Sequence, residues 1–363
     1  MKLQVTQENL SKALGAVGRV ASNRGTLPIL SNVLLKTVDG RLSIAATNLD
    51  IAITQYIGSK ISEEGSITVP ARLMQDFVAS LPSGVIELKL DDLKLHIATE
   101  KYKSVINGIS AEDYPVMPAI EKGQTWKVAS STLKQALQQV IIAASNDEAR
   151  PVLTGVYWHT HDGVLYIVAT DSYRLAEKAV IKTAQEVSLL IPATALQDLL
   201  RVLGDDDEDV IVTHDDQQVL FKVGDIELVT RLIDGKYPDY RKLIPNSFVS
   251  EATLKKADFA NITKVSSLFA RESAGSVTLN LDNEAQQVTI RSIASQLGEN
   301  TAGASAEVTA DGVITLNSRY LLDALHVLSG DQVAFSFNGK LEPCVIRSVG
   351  VDDYTHVIMP LKS

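Results

Sequence analysis

The sequence predicts an α+β protein of three tandem repeated domains, each with two helices packed on antiparallel β-sheets. Three observations lead to this prediction: an internal repeat, a strand–helix pair that recurs three times, and alternating apolar runs between turns. The chain has 363 residues, of which 45% are apolar, which is enough for two or three domains. We expect the domains to span residues 1–122, 123–246 and 247–363.

The repeat is clearest at an offset of 123 residues, where residues 28–47 align with 151–170 without a gap and with ten identities. Chance would give about one or two. The identical pairs are Pro28 and Pro151, Leu30 and Leu153, Val33 and Val156, Thr37 and Thr160, Asp39 and Asp162, Gly40 and Gly163, Leu42 and Leu165, Ile44 and Ile167, Ala46 and Ala169, and Thr47 and Thr170.

A helix precedes this segment in both copies. Apolar residues fall at i, i+3, i+4, i+7 and i+11, which is one face of an amphipathic helix. They are Leu10, Ala13, Leu14, Val17 and Ala21 in the first copy, and Leu133, Ala136, Leu137, Val140 and Ala144 in the second. The third copy is more diverged: we expect its first helix near residues 254–269 and strands at 277–280 and 288–290.

The second half of each repeat reads as an apolar strand that leads into a short helix. The strands begin near residues 67, 189 and 313, and the helices end near Gly84, Gly204 and Gly330. Short strands broken at turns such as Asp39-Gly40 and Asp162-Gly163 fill the rest of each repeat. No glycine-rich loop follows a strand and opens a helix, so a doubly wound nucleotide-binding fold is not expected.

Charge is distributed unevenly in this acidic chain, whose net charge is −10. Acidic residues gather in predicted turns, at 205–209 and 215–216. Each predicted helix or its flank carries basic residues, namely Lys12, Arg19, Arg24, Arg72, Lys134, Arg201, Lys255, Lys256, Lys264, Arg271 and Arg319. One such residue alone indicates a solvated helix face, but the repeated occurrence predicts a basic surface built from helices. A surface of this kind attracts phosphates without regard to nucleotide sequence.

The composition favours a cytoplasmic protein. No window approaches the roughly 18 consecutive apolar residues of a membrane span, and the first eight residues lack the apolar core of a signal peptide. Cys344 is the only cysteine, which excludes an internal disulfide and is typical of a reducing compartment. We therefore expect a cytoplasmic location and no membrane partner.

Signals of catalysis are few, and we predict no cofactor. His159 and His161 alternate on a predicted strand and could bind a metal, although exposed histidines are the more economical interpretation. The acidic run at 205–209 could hold a hard cation, or be a solvated turn. The sequence contains no Gly-x-Ser-x-Gly motif, phosphate loop or Cys–His pair. A repeat-built hydrolase or metal enzyme centred on His159 and His161 remains the alternative from another class.

The segment 169–175 is where the two well-matched copies diverge. It reads Ala-Thr-Asp-Ser-Tyr-Arg-Leu, whereas the first copy continues Ala-Thr-Asn-Leu-Asp. The shared start predicts a common turn, and the divergent part predicts a binding site private to the second copy. The C-terminal residues 356–361 are also apolar almost to the end, which predicts either a final core strand or the wall of an exposed apolar groove.

The chain resembles the bacterial DNA sliding clamp family, the beta subunits of DNA polymerase III. The resemblance covers essentially the whole chain and rests on the three tandem domains and on four motifs in order. These are residues 26–30 (Thr-Leu-Pro-Ile-Leu), 169–175, 234–241 (Asp-Gly-Lys-Tyr-Pro-Asp-Tyr-Arg) and 357–360 (Val-Ile-Met-Pro).

The resemblance implies a non-catalytic processivity subunit with the DNA clamp fold. Clamps of this family are head-to-tail homodimers whose six domains close into a ring around duplex DNA, with helices lining the hole. The implied partners are the replicative polymerase alpha subunit, the clamp loader, other polymerases and repair proteins. The DNA-facing residues implied by similarity are Arg24, Arg72, Lys134, Arg150, Arg201 and Lys255.

The resemblance also implies a pocket between the second and third domains for short peptides of the form Gln-Leu-x-Leu-Phe. Apolar walls would bury the leucine and phenylalanine of such a peptide. The matching positions are Leu153, Thr170, Ser172, Tyr173, Arg174, Leu175, Pro238, Lys242, Leu243, Pro343, Val357, Ile358, Met359, Pro360 and Leu361. Ser172-Tyr173 and Lys242 depart from the Gly-His and Arg of the best-known member, and these departures bear on peptide selectivity.

The same matching places Ile106 of the first domain against Leu268 and Phe269 of the third across the dimer interface. Each interface joins two different surfaces, and using it twice closes the ring. A third hypothesis, a protein-interaction scaffold that does not bind DNA, shares the peptide pocket but lacks the basic surface.

Overall fold

The computed structural model describes residues 1–21, 27–115, 119–204, 208–294 and 298–362. Arg24 and the acidic residues at 205–207 lie outside the described residues. Within them there are six α-helices, two for each predicted repeat, and every strand pair is antiparallel. The predicted α+β class and its two helices per repeat are confirmed.

The first repeat contains helices α1 (Gln7–Val17) and α2 (Ala71–Ser80). Its strands are β1 (Lys2–Thr6), β2 (Asn32–Val38), β3 (Arg41–Thr47), β4 (Ile51–Gly58), β5 (Lys60–Glu63), β6 (Ser66–Pro70), β7 (Val85–Asp91), β8 (Lys94–Ala98) and β9 (Lys103–Asn107).

The second repeat contains α3 (Ser130–Val140) and α4 (Ala193–Val202). Its strands are β10 (Gln124–Ala129), β11 (Gly155–His161), β12 (Val164–Thr170), β13 (Arg174–Lys182), β14 (Ser188–Pro192), β15 (Asp209–His214), β16 (Gln218–Val223) and β17 (Ile226–Arg231).

The third repeat contains α5 (Lys256–Phe269) and α6 (Ser318–Val327). Its strands are β18 (Ser250–Lys255), β19 (Ser276–Asp282), β20 (Gln287–Ala294), β21 (Gly298–Val308), β22 (Gly312–Asn317), β23 (Gln332–Phe337), β24 (Cys344–Ser348) and β25 (Tyr354–Ile358).

The helices form near the positions that the apolar periodicity predicts, but α1 ends at Val17 and α3 at Val140, so Ala21 and Ala144 of the predicted faces lie beyond them. In α1 the predicted face of Leu10, Ala13, Leu14 and Val17 is buried. The start of α5 was predicted too early, because residues 254 and 255 belong to β18. Burial alternates along β18, which pairs on both sides with β21 and β23, and this pairing determines the strand.

The described residues form two compact units that do not follow the repeat. The first unit holds residues 1–131 and 197–232, and the second holds residues 132–196 and 233–363. The central repeat is therefore divided: β10 and β15–β17 belong to the first unit, and β11–β14 belong to the second. The offset of 123 residues does not predict this division, because it detects similar segments and not their pairing.

Each unit is built around its own sheets. The first unit has a five-stranded sheet, in the order β5-β1-β7-β8-β9, and an eight-stranded sheet, in the order β10-β15-β16-β17-β4-β3-β2-β6. The second unit has one twelve-stranded sheet, in the order β14-β11-β12-β13-β25-β24-β23-β18-β21-β20-β19-β22. Strands of different repeats meet at Leu228 and Ile53 in the first unit, and at Val357 and Leu175 in the second.

The expected basic residues are distributed over all six helices. One cation from each is Lys12, Arg72, Lys134, Arg201, Lys256 and Arg319. Lys255 was predicted on a helix but is the last residue of β18, immediately before α5. Across the described ranges, no helix has the length and apolar character needed to cross a membrane.

Candidate functional site

The turn between β12 and β13 is built by its own side chains. The Thr170 hydroxyl accepts a hydrogen bond from the Ser172 backbone N–H (3.1 Å) and donates one to the Arg174 carbonyl (2.6 Å). The Asp171 carboxylate accepts from the N–H groups of Tyr173 and Arg174, both at 2.9 Å. Ser172 adopts a left-handed backbone conformation with φ 78°, which these bonds hold in place. The turn therefore presents the Tyr173 side chain outward, where it is 58% exposed.

Arg174 lies inward from this turn and is bound on three sides. Its guanidinium contacts the carboxylates of Asp171 (3.2 Å) and Asp323 (2.6 Å), and it lies 4.5 Å from the centre of the Tyr320 ring. Its side chain is only 11% exposed. Because the guanidinium already has these partners, Arg174 fixes the turn to helix α6 and is not a free donor in the structure.

The C-terminal tail runs along the same turn. Strand β25 pairs with β13, placing Ile358 opposite Arg174 and Val357 opposite Leu175. Beyond the strand, the Met359 N–H donates to the Tyr173 carbonyl (2.8 Å), and the Leu361 N–H donates to Thr315 (2.8 Å). Residues 354–358 form the predicted core strand and are buried, and residues 359–361 are half-buried beside the turn, where the groove wall stays a prediction.

The predicted pocket residues separate into a floor and walls. Leu153, Leu175 and Val357 are buried in one apolar cluster that also contains Tyr237 and Tyr240, and we call them the floor of the predicted pocket. Ile358 is fully buried and pairs with Cys344, the residue after Pro343. The walls are more accessible: Pro238, Lys242, Leu243, Ser172 and Tyr173 are exposed, and Pro343, Met359, Pro360 and Leu361 are half-buried. All fifteen predicted positions belong to the second unit, and the pocket that they would form stays a prediction.

His159 is not the exposed strand histidine that the sequence suggested. It is half-buried, and its Nε2 lies 2.7 Å from the Tyr240 hydroxyl. Burial and the nearby Arg241 guanidinium lower its pKa to about 4. His161 is exposed and lies 3.3 Å from Asp162. Among the described residues, no three His, Cys, Asp or Glu side chains are placed to hold a metal ion.

Two of the predicted DNA-facing residues lie in the first unit. Arg72 is 84% exposed on α2, 3.8 Å from Asp76. Arg201 is in the last turn of α4, is hydrogen-bonded to Asp198, and lines a cavity of about 720 Å³ together with Lys12 and Arg19 of the first repeat. Burial raises the pKa of Asp198, and the positive charges of Arg201 and Arg19 oppose that rise. Cations of two repeats therefore share one concave surface with the carboxylates of Asp198, Glu208 and Asp225.

The remaining described members of this set lie in the second unit. Lys134 is on α3, and Lys255 is exposed at the end of β18. Arg150 is exposed and reaches the turn described above, since its guanidinium donates to the Ser172 hydroxyl (3.1 Å). The structure thus brings a predicted DNA-facing residue into contact with a predicted pocket residue, which the sequence did not indicate.

The predicted interface residues differ in accessibility. Ile106 is buried within its own unit on the edge strand β9, and Val105 beside it is 52% exposed. In the second unit Leu268 is exposed near the end of α5, as is Val265 one turn earlier, and Phe269 is half-buried. Each unit therefore exposes apolar side chains next to the predicted positions.

Comparison with known proteins gives a consistent result. Three family models match in tandem: the DNA polymerase III beta subunit N-terminal domain at residues 1–118, the central domain at 127–239 and the C-terminal domain at 241–362. The beta sliding clamp of Bacillus subtilis is 30% identical, with all of both chains covered. That of Synechococcus elongatus is also 30% identical, over all of this chain and 99% of its own.

Solved structures agree with these matches. The crystal structure of the Bacillus subtilis DNA polymerase sliding clamp aligns with a TM-score of 0.95 at 30% identity, covering 100% of this chain and 99% of that chain. A sliding clamp from Bartonella birtlesii bound to griselimycin aligns with the same score and identity, with both chains fully covered.

Proposed function

This chain belongs to the DNA polymerase III beta subunit family, and from that premise we propose that it is a non-catalytic sliding clamp. Two copies close head to tail into a ring of six domains around duplex DNA and tether the replicative polymerase to its template. The observation that carries this proposal is the tandem match of all three family domains, in order and over nearly the whole chain.

The distribution of charge supports the DNA part of the proposal. Every one of the six helices carries a cation, although the chain as a whole has a net charge of −10. Lys12, Arg19 and Arg201 line one cavity, together with the carboxylates of Asp198, Glu208 and Asp225. Exposed cations bind phosphates without base recognition, and salt weakens this attraction. We propose Arg24, Arg72, Lys134, Arg150, Arg201 and Lys255 as the DNA-facing set. A ring holds DNA by topology, so these contacts need only be weak.

Loading on circular DNA tests the ring. The labelled protein is loaded by a clamp loader on a nicked plasmid, and its retention is measured by gel filtration before and after one restriction cut. We expect retention on the circle, loss after the cut, and retention again when streptavidin blocks both biotinylated ends. Equal loss from circular and cut DNA would refute encirclement.

The groove of the second unit is the proposed partner site. We propose that it binds short peptides of the form Gln-Leu-x-Leu-Phe from the polymerase alpha subunit, the clamp loader and repair proteins. Its buried floor of Leu153, Leu175 and Val357 and its half-buried walls suit two apolar side chains. Met359→Ala should weaken binding of a synthetic peptide about tenfold by removing buried apolar contact, while leaving the dimer intact.

The apolar side chains near residues 105 and 268 are the proposed dimer contacts. Leu268→Asp would place a charge in an apolar interface, so we expect monomers by analytical ultracentrifugation at concentrations where the wild type is dimeric. Lys264→Asp on the same helix, at an exposed cation, is the control for charge alone. A dimeric Leu268→Asp protein would move the interface elsewhere. A cytoplasmic location follows from the proposed role in replication.

A further inference from the structure

An aromatic stack extends across the sheet beneath one wall of the proposed pocket. The His159 ring stacks on Tyr157 with centroids 4.9 Å apart and faces Tyr166 at 5.9 Å. Tyr157 in turn stacks on Tyr237 at 5.0 Å. Three of these rings lie on neighbouring strands of the second unit, and Tyr237 lies on the segment that crosses them. Parallel stacking holds the imidazole in one plane.

The orientation of the imidazole creates a directed chain of hydrogen bonds. The Tyr240 hydroxyl donates its only proton to the Glu177 carboxylate. Its oxygen can therefore only accept from His159 Nε2, 2.7 Å away, so Nε2 carries the proton of a neutral imidazole. Glu177 is also ion-paired with Arg241 at 3.3 Å, and the Arg241 guanidinium lies 4.5 Å from the centre of the Tyr166 ring.

Tyr240 connects this chain to the pocket. Its ring is buried in the cluster that contains the floor residues Leu153, Leu175 and Val357. It is also the first residue of a single 3-10 turn, Tyr240–Leu243, which exposes the two wall residues Lys242 and Leu243. The side chain of Lys242 is paired with Asp239 of the same segment (2.6 Å). The position of this wall therefore depends on how firmly Tyr240 is held.

We propose that His159 is a positioning residue for the peptide pocket. Through its hydrogen bond to Tyr240 it fixes the turn that carries Lys242 and Leu243 and thereby sets the width of the groove. This inference rests on the proposed function of the groove. It also gives a role to the first histidine of the His-x-His motif, which bonds Tyr240, whereas His161 lies beside its neighbour Asp162.

The substitutions His159→Phe, His159→Gln and His161→Phe separate positioning from general stability. Phenylalanine keeps the ring stack and removes the donor, whereas glutamine keeps an N–H donor at similar reach. His161→Phe makes the same change on the same strand at an exposed site. The probe is a synthetic Gln-Leu-Ser-Leu-Phe peptide measured by isothermal titration calorimetry, with the melting temperature of each variant recorded.

We expect His159→Phe to weaken peptide binding about three- to tenfold, the equivalent of one neutral hydrogen bond. His159→Gln and His161→Phe should stay within about twofold of the wild type, because both leave the Tyr240 bond satisfied. Amide exchange supplies the second readout. The Ile244 N–H, which donates to the Arg241 carbonyl at 3.2 Å, should exchange faster in His159→Phe alone.

The outcomes are distinct. If the wild type binds the peptide and His159→Phe binds equally well, the positioning role is wrong. If His159→Gln is as weak as His159→Phe, a retained N–H donor does not restore binding, so the hydrogen bond to Tyr240 does not account for the loss and the proposal is overturned. If the wild type does not bind the peptide, the proposed pocket fails. Amide exchange at Ile244 then still decides whether His159 fixes the turn.

Discussion

The two units contain the same turn with different side chains. In the second unit the Thr170 hydroxyl bonds Ser172 N–H and the Arg174 carbonyl. In the first unit the Thr47 hydroxyl bonds Leu49 N–H (3.0 Å) and the Ile51 carbonyl (2.9 Å). The third residue of each turn is left-handed, with φ 80° at Leu49 and 78° at Ser172. The hydrogen bonds and the backbone conformation of the turn are thus the same in both units.

The strand beside each turn is duplicated as well. The Arg231 N–H donates to the Asp50 carbonyl (3.0 Å), as the Met359 N–H donates to the Tyr173 carbonyl (2.8 Å). The side chains of the two turns differ: Asp50 occupies the position that matches Tyr173, and the buried Ile51 occupies the position that matches Arg174. The same backbone turn can therefore carry different side chains in the two units, and a binding site at one turn does not require a change in the fold of the other.

The largest expected effect on stability comes from replacing Arg174 with isoleucine, the residue at the matching position of the first unit's turn (Ile51). Arg174→Ile would leave the carboxylates of Asp171 and Asp323 without their cation and should lower the free energy of unfolding by about 3 kcal/mol. Urea titration measures this. The double variant Arg174→Ile with Asp323→Leu should be more stable than Arg174→Ile alone, because it removes one of the two unpaired carboxylates. Equal stability of the two variants would mean that the broken ion pair does not cause the destabilisation.

Because both turns use a threonine hydroxyl in the same way, removing it should destabilise the protein equally in the two units. Thr170→Val and Thr47→Val each remove a buried hydroxyl that makes two hydrogen bonds, so each should cost about 1–2 kcal/mol in the free energy of unfolding. A cost confined to one of the two variants would show that the turns are not equivalent.

Replacing the exposed Tyr173 tests peptide binding separately from stability. Tyr173→Asp copies the first turn and removes an exposed ring, so peptide affinity should fall about tenfold with little change in melting temperature. The reciprocal change Asp50→Tyr should neither create a peptide site nor alter the affinity. An unchanged affinity in Tyr173→Asp would exclude this turn from the pocket.

Acidification should weaken the second unit through its histidines. Burial lowers the pKa of His159 to about 4 and that of His356 to about 3. Unfolded histidines bind protons near pH 6.5, so the unfolded chain takes up more protons as the pH falls from about 6.5 toward 4, and stability falls with it. For the partly exposed His159 we expect about 1 kcal/mol. Denaturation at pH 7 and pH 4.5 measures the change, and the slope should be shallower in His159→Phe.

The sequence predicted the features that are local or repeated. The buried face of Leu10, Ala13, Leu14 and Val17 followed from helical spacing, and the Thr-Asp turn followed from its counterpart at Thr47. Pairings between distant residues were not predicted. Nothing in the sequence links His159 to Tyr240, 81 residues away, because each position is set by a different strand or turn and they meet only after the sheet has formed.

The same reason explains two surroundings that the sequence did not indicate. The loop that carries Arg150 brings its guanidinium to the Ser172 hydroxyl, and the proposed contact of Arg150 with DNA stays a prediction. Alternation along β9 buries Ile106 and turns Val105 outward, and the proposed interface at Ile106 likewise stays a prediction.

The division of the central repeat between the two units determines where the chain can be cut. A fragment ending at residue 122 would remove β17 from β4 and leave an apolar strand with an unpaired edge. A fragment ending at residue 246 would do the same to β13 by removing β25. Such pieces should self-associate through those edges. An isolable fragment would have to follow the hydrogen-bonded sheets, and each of these draws on segments far apart in the chain.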